Sequence, residues 1–124
     1  MYSKIQRKME MINNYKIKSR IWICTNNGTF LGEGRIELLK KIDEFGSISK
    51  AAKSMKMSYK KAWELVNSMN EQCIEPIVVG KIGGKDGGGS KLSDLGKKII
   101  IEFTDLNQKA IKFLDGEISK INWK

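Results

Sequence analysis

Residues 46–70 read GSISKAAKSMKMSYKKAWELVNSMN, and the fold turns on how this stretch divides. Ile48, Ala51, Ala52 and Met55 fall at i, i+3, i+4 and i+7, the buried face of a short helix. The two alanines leave room for a partner helix to come close. Gly46 stands just past the end of a preceding helix, where glycine is favoured, and Ser47 is placed to cap the helix that follows. Lys56 and Met57 make the turn, and Ser58 caps the next helix. There Tyr59, Ala62, Trp63, Val66 and Met69 or Asn70 form the inward stripe, while Ser58, Lys60, Lys61, Glu64 and Asn67 point outward. Two short amphipathic helices around a tight turn, the second opening on a polar, basic first turn, are how a helix-turn-helix offers side chains to a DNA major groove.

Further along, Pro76 stops any helical continuation. Ile77-Val78-Val79 and Lys91-Leu92 predict two strands around the glycine-rich tip Gly83–Gly89. A basic hairpin after a helix-turn-helix is a wing. The tip has neither P-loop nor G-x-G-x-x-G spacing, and it leads into a strand, which argues against nucleotide binding. Its glycines would let backbone amides, with Lys81, Lys85 and Lys91, approach DNA; the bland alternative is a hairpin that touches nothing. Ser93 caps a last helix running to about Lys120. Its residues Ile99, Phe103, Leu106, Ala110 and Phe113 make a heptad-like seam whose natural outlet is dimerisation.

Toward the N-terminus, Tyr15–Cys24 alternates as a half-buried strand does, with Tyr15, Ile17, Ser19, Ile21 and Ile23 on one face. Asn27-Gly28 signals a hairpin turn, and Thr29–Leu31 a short return strand. Gly32–Gly34 break it. Arg35–Phe45 then form a helix with Ile36, Leu39 and Ile42 on one stripe and Leu38 and Phe45 beside it. Residues 1–14 are polar and mixed, a short helix or an arm. The fold expected is α+β and mainly helical: an N-terminal arm (1–14), a winged helix-turn-helix with an N-terminal β-hairpin (15–92), and a long C-terminal dimerisation helix (93–124).

The chain has 124 residues, a net charge of +9 and a pI near 9.6, values that favour a polyanionic partner. The excess is uneven. Residues 1–20 carry six Lys/Arg against one Glu, and residues 47–91 carry eight Lys against four acids, whereas the stretches 21–46 and 92–124 are nearly neutral. No apolar run has transmembrane length, and MYSKIQRKMEM lacks a signal peptide's apolar core, so the expected compartment is the cytoplasm, with no membrane partner. Cys24 and Cys73 are isolated and there is no histidine, which leaves no zinc site and suggests reduced thiols. No grouping of nucleophile, base or acid points to catalysis.

The candidate DNA contacts are Ser47, Ser49 and Lys50 at the start of the first helix of the pair, and Ser58, Tyr59, Lys60 and Lys61 at the start of the second. Lys81, Lys85 and Lys91 complete the set from the wing. The positive end of the helix dipole assists the second group. Helical spacing with Ala62 and Val66 assigns Trp63 to core packing rather than base stacking. Tyr59 either packs or reaches a phosphate with its hydroxyl.

The pieces G-R-I-E-L-L, G-S-I-S-K-A-A, S-Y-K-K-A-W and G-G-K-x-G-G-G, in that order between Ile17 and Phe103, resemble the N-terminal DNA-binding domain of the ModE family of molybdate-responsive transcription regulators. The resemblance implies a winged helix-turn-helix that dimerises through flanking helices and binds a palindromic operator near genes of molybdenum uptake or cofactor use. It places the first helix of the pair at Ile48–Met55, the start of the recognition helix at Ser58 and the wing tip at Gly83–Gly89. Full-length members of the family bind molybdate or tungstate in C-terminal β-barrel domains. No segment here matches those, so no oxyanion-binding residue and no cofactor is expected, and a separate oxyanion-binding protein becomes a possible partner. Asp86, between the glycine blocks, departs from the pattern. The competing readings are a regulator that senses an oxyanion at its own surface, and an adaptor that recruits a protein through the long helix and binds DNA only non-specifically.

Overall fold

A computed structural model describes residues 3–12, 14–81 and 89–123. Within these the chain mixes helix and strand. In order it runs α1 (Lys4–Ile12), β1 (Trp22–Thr25), β2 (Gly28–Gly32), α2 (Glu33–Phe45), α3 (Ile48–Ser54), α4 (Tyr59–Glu71), β3 (Val78–Gly80), β4 (Ser90–Leu92) and α5 (Asp94–Ile118). Each strand pair forms its own two-stranded antiparallel sheet, β1 with β2 and β3 with β4. Two compact units divide the chain: residues 20–104, and residues 1–19 with 105–124. No described helix is long and apolar enough to cross a membrane.

The larger unit is built on α2, α3 and α4. Ile36, Leu38, Leu39 and Ile42 from α2 meet Ala51 and Ala52 from α3 and Ala62, Val66 and Met69 from α4, and all are buried. Alanines at the α3 contact keep the helices close, as the i, i+3, i+4 pattern requires. Leu31, Ile77, Val78 and Leu92 bring both sheets onto this core, and Ile99 and Phe103 close it from α5. Gly96 lets α5 lie directly on the backbone carbonyl of Ile77, closer than any Cβ could come. Ser93 joins the same corner: its hydroxyl donates to the Pro76 carbonyl at 2.8 Å and accepts from the Gly96 amide at 3.1 Å, capping α5.

Several expectations are revised here. The strand forecast for Tyr15–Cys24 pairs only from Trp22, because β2 offers partners no farther than Gly32. The alternation in exposure nonetheless persists back to Ile17. Thr25 pairs with Gly28 across Asn26-Asn27, so the turn lies one residue earlier than forecast, with positive φ at Gly28 alone. Helix α2 starts at Glu33 and takes in Gly34, and Phe45 stands exposed under the Lys41 ammonium instead of joining the core. Helix α4 ends at Glu71, well before Pro76. The first wing strand is shifted by one residue to Val78–Gly80, and the second gains Ser90 to run Ser90–Leu92.

In the smaller unit the N-terminal arm is a helix. The Ser3 hydroxyl accepts from the Gln6 amide at 3.1 Å while the Gln6 side chain accepts from the Ser3 amide at 2.8 Å, a reciprocal capping box. Ile5, Met9 and Met11 of α1 are exposed. Tyr15 and Trp123 meet edge to face at 5.5 Å beside an open groove of about 810 Å³ that also takes in Ile17, Ile111, Ile118 and Ile121. Helix α5 supplies both units, and its seam divides accordingly. Ile99 and Phe103 belong to the chain's own core, whereas Leu106 and Phe113 are 47% and 65% exposed, with Ala110 half-buried between them.

Candidate nucleic-acid interface

Helix α3 ends in a Schellman turn. The Met57 amide donates to the Ala52 carbonyl at 2.9 Å, and the Lys56 amide to the Lys53 carbonyl at 3.1 Å. Lys56 takes the left-handed conformation this requires, with φ of 55°, the one non-glycine residue with positive φ among those described. Met57 packs on the core and Ser58 starts α4, its hydroxyl accepting from the Lys61 amide at 3.1 Å. Ser47 caps α3 in the same way, accepting from the Lys50 amide at 3.1 Å. Both capping contacts use a lone pair, which leaves each O–H free to donate outward.

The first turn of α4 is fully presented: Ser58, Tyr59, Lys60 and Lys61 are all exposed, as are Ser49 and Lys50 on α3. Among the described residues none of Lys50, Lys60, Lys61, Lys81 and Lys91 forms an ion pair, while Lys41, Lys98, Lys109 and Lys120 all do. Asp105 holds the Lys109 ammonium above its ordinary range, by hydrogen bond and charge. The α3–α4 lysines thus carry uncompensated positive charge beside an N-terminal helix dipole, the arrangement that attracts phosphate.

The β3–β4 hairpin is fastened to this pair at two points. The Ser90 amide donates to the Gly46 carbonyl at 2.9 Å, and the Lys81 side chain lies over Gly46. Gly46 is the left-handed C-cap of α2, with φ of 67°, so the Lys81 ammonium sits at the negative end of that helix. From the other side, the Asn70 carbonyl oxygen accepts from the Ile77 and Val78 amides at 2.8 and 3.1 Å, and its amide donates to the Val78 carbonyl at 3.1 Å. Lys91 is exposed on β4; Lys85 and the tip from Gly83 to Gly88 lie outside the described residues. The structure therefore brings Lys81 and Ser90 to the Gly46–Ser47 junction, which sequence reasoning had not linked.

Trp63 corrects the sequence reading most sharply. It is 49% exposed and Tyr59 56%, although both were drawn on the inward stripe. At about 100° per residue, Ala62, Val66 and Met69 cluster within roughly 60° of arc. Tyr59 and Trp63 sit about 60° and 100° round from Ala62, on its flank. Centring the stripe on the alanine, which faces α3, would have found this. Behind α4, Arg35 donates to Ser68 Oγ at 3.0 Å, and Gln72 donates to the Thr29 carbonyl at 2.8 Å, locking the helix to the β1–β2 hairpin. Burial alone pushes the Arg35 pKa down.

No protein-family model matches the chain. Its sequence is 38% identical over 104 residues to the molybdenum transport protein ModE of Azotobacter vinelandii, which covers 84% of this chain and 38% of that protein. It is 35% identical over 100 residues to the molybdenum-pterin-binding protein MopB of Rhodobacter capsulatus, covering 81% and 37%. With the DNA-binding transcriptional dual regulator ModE of Escherichia coli K12 it shares 38% identity over 91 residues, covering 71% and 35%. These relatives support kinship with the ModE family. The chain spans little more than a third of the length of the curated relatives it matches.

Proposed function

We propose that this chain is a molybdenum-related transcription regulator of the ModE kind, a winged helix-turn-helix that binds double-stranded DNA as a homodimer. The observation that carries the reading is the α3–α4 pair: an exposed, unpaired basic first turn of α4, with the β3–β4 hairpin fastened to Gly46 beside it. In this reading α4 enters the major groove with Ser58, Tyr59, Lys60 and Lys61 foremost, and Ser47, Ser49 and Lys50 meet the flanking backbone. Lys91 and the wing tip with Lys85 reach the adjacent phosphates or minor groove, and Lys81 braces the wing. The regulators among the relatives, and the uneven basic charge of the chain, support a DNA partner. The exposed Leu106 and Phe113 support a second copy as the partner of α5. A dimer would set two half-sites one helical turn, roughly 10 base pairs, or a multiple of it apart.

The test is a fluorescence-anisotropy titration of the chain with its own upstream DNA and with a scrambled duplex, at several salt concentrations, with and without molybdate. Tight binding to the upstream duplex is expected. Lys60→Ala with Lys61→Ala should lower affinity and reduce the salt slope by up to about two. Equal affinity for both duplexes would leave a non-specific binder, and an unchanged slope would remove the two lysines from the interface.

A further inference from the structure

The exposed face of α4 holds few groups able to tell one base pair from another. Lysine heads position a protein on phosphates more than they specify sequence. The Asn67 amide is already donated to the Glu71 carboxylate at 3.2 Å. What remains beside Glu64 is the aromatic pair Tyr59 and Trp63, one turn apart at i and i+4 and both about half exposed. Neither the Tyr59 hydroxyl nor the Trp63 indole N–H has a hydrogen-bond partner among the described residues, and neither ring belongs to the apolar cluster packed behind α4.

The two rings lie in the N-terminal half of α4, beside Lys60 and on the flank from which Asn70 grips β3. That half of a recognition helix meets base edges. In the major groove thymine alone presents a methyl group, and apolar side chains read it by contact. A protein partner would meet the exposed, unpaired Lys60 beside these rings, a setting better matched to phosphate.

We propose that Tyr59 and Trp63 are specificity-determining residues that pack against thymine methyl groups in the major groove. The inference rests on the DNA-binding reading above, and the experiment separates the two. A duplex is first selected from a random library with the wild-type chain. Each thymine in one half-site is then replaced singly by deoxyuridine, which removes the methyl and leaves the pairing edge intact. Loss of about three- to fivefold in affinity is expected at one or two adjacent positions, the scale of one buried methyl. Trp63→Ala should bind the thymine and deoxyuridine duplexes equally, and Trp63→Phe should keep part of the preference.

Selection of a specific duplex with no deoxyuridine effect at any position overturns the methyl readout while leaving DNA recognition standing. A Trp63→Ala variant that weakens both duplexes by the same factor does likewise. Failure of any duplex to enrich sinks the DNA-binding reading and this inference together. The deoxyuridine series on the wild-type chain needs no variant to fold.

Discussion

Three glycines show how much rests on single hydrogen atoms. Gly46 has φ of 67°, and a Cβ there would lie 2.5 Å from the Lys81 ammonium. Gly46→Ala should destabilise the chain by about 1–2 kcal/mol, the usual penalty for a left-handed L-residue, read as a lower urea midpoint with unchanged slope. Two glycines of α5 then make opposite forecasts. At Gly96 a Cβ would strike the Ile77 carbonyl, so Gly96→Ala should cost about 1–3 kcal/mol despite alanine's better helix propensity. At Gly116 nothing lies within 4 Å, and Gly116→Ala should stabilise by roughly 0.5–1 kcal/mol. Calorimetry of both variants checks the contrast; stabilisation at both sites would mean that α5 does not lie on the Ile77 carbonyl as described. Gly46 was legible in the sequence because it follows an apolar stripe. Gly96 was not, since its reason lies in a carbonyl nearly twenty residues away.

At the scale of elements, legibility followed locality. The caps Ser47, Ser58 and Ser93 were readable because each contact is made three residues on. So was the helical α1, had the S-x-x-Q pattern at Ser3 and Gln6 been weighed. Strand length was not readable, because an alternating run becomes a strand only as far as a partner extends. Trp63 was misplaced for a related reason: a stripe drawn from residue type includes every large apolar residue, whereas burial follows the neighbour that α4 has. The site inherits this pattern, with its lysines and serines visible in sequence and its brace hidden. Asn70 is that brace, spending its whole side-chain amide on the start of β3. Asn70→Ala should cost about 2 kcal/mol by stranding part-buried backbone groups. Amide exchange at Ile77 and Val78 should accelerate before that of the α2 core. Unchanged protection there would show that the strand is held by its sheet partner alone.

For the whole molecule, the division of the α5 seam separates folding from association. Ile99 and Phe103 serve the chain's own core, so substitutions there test stability and say nothing of a dimer. Leu106 and Phe113 are exposed, and Leu106→Glu with Phe113→Glu should leave the melting of the larger unit in place. In the proposed dimer the same variant should sediment as a monomer and lose affinity for a two-half-site duplex far more than for a single half-site. A wild-type chain that sediments as a monomer at all accessible concentrations would refute the dimer and turn attention to an unlike partner for α5.

The fastening of β3 and β4 has a practical corollary. Because β3 is gripped at Val78 by Asn70 and β4 at Ser90 by Gly46, the register of the pair is fixed at both ends of its ladder. The segment joining the two strands is then free to change length, for closure entropy grows only by about 0.6 kcal/mol per doubling. Residues 82–88 can therefore be exchanged as a cassette, shorter, longer or differently charged, on an unaltered frame. In the proposed complex, a family of chains built this way would vary in reach along the duplex while keeping one and the same reading head.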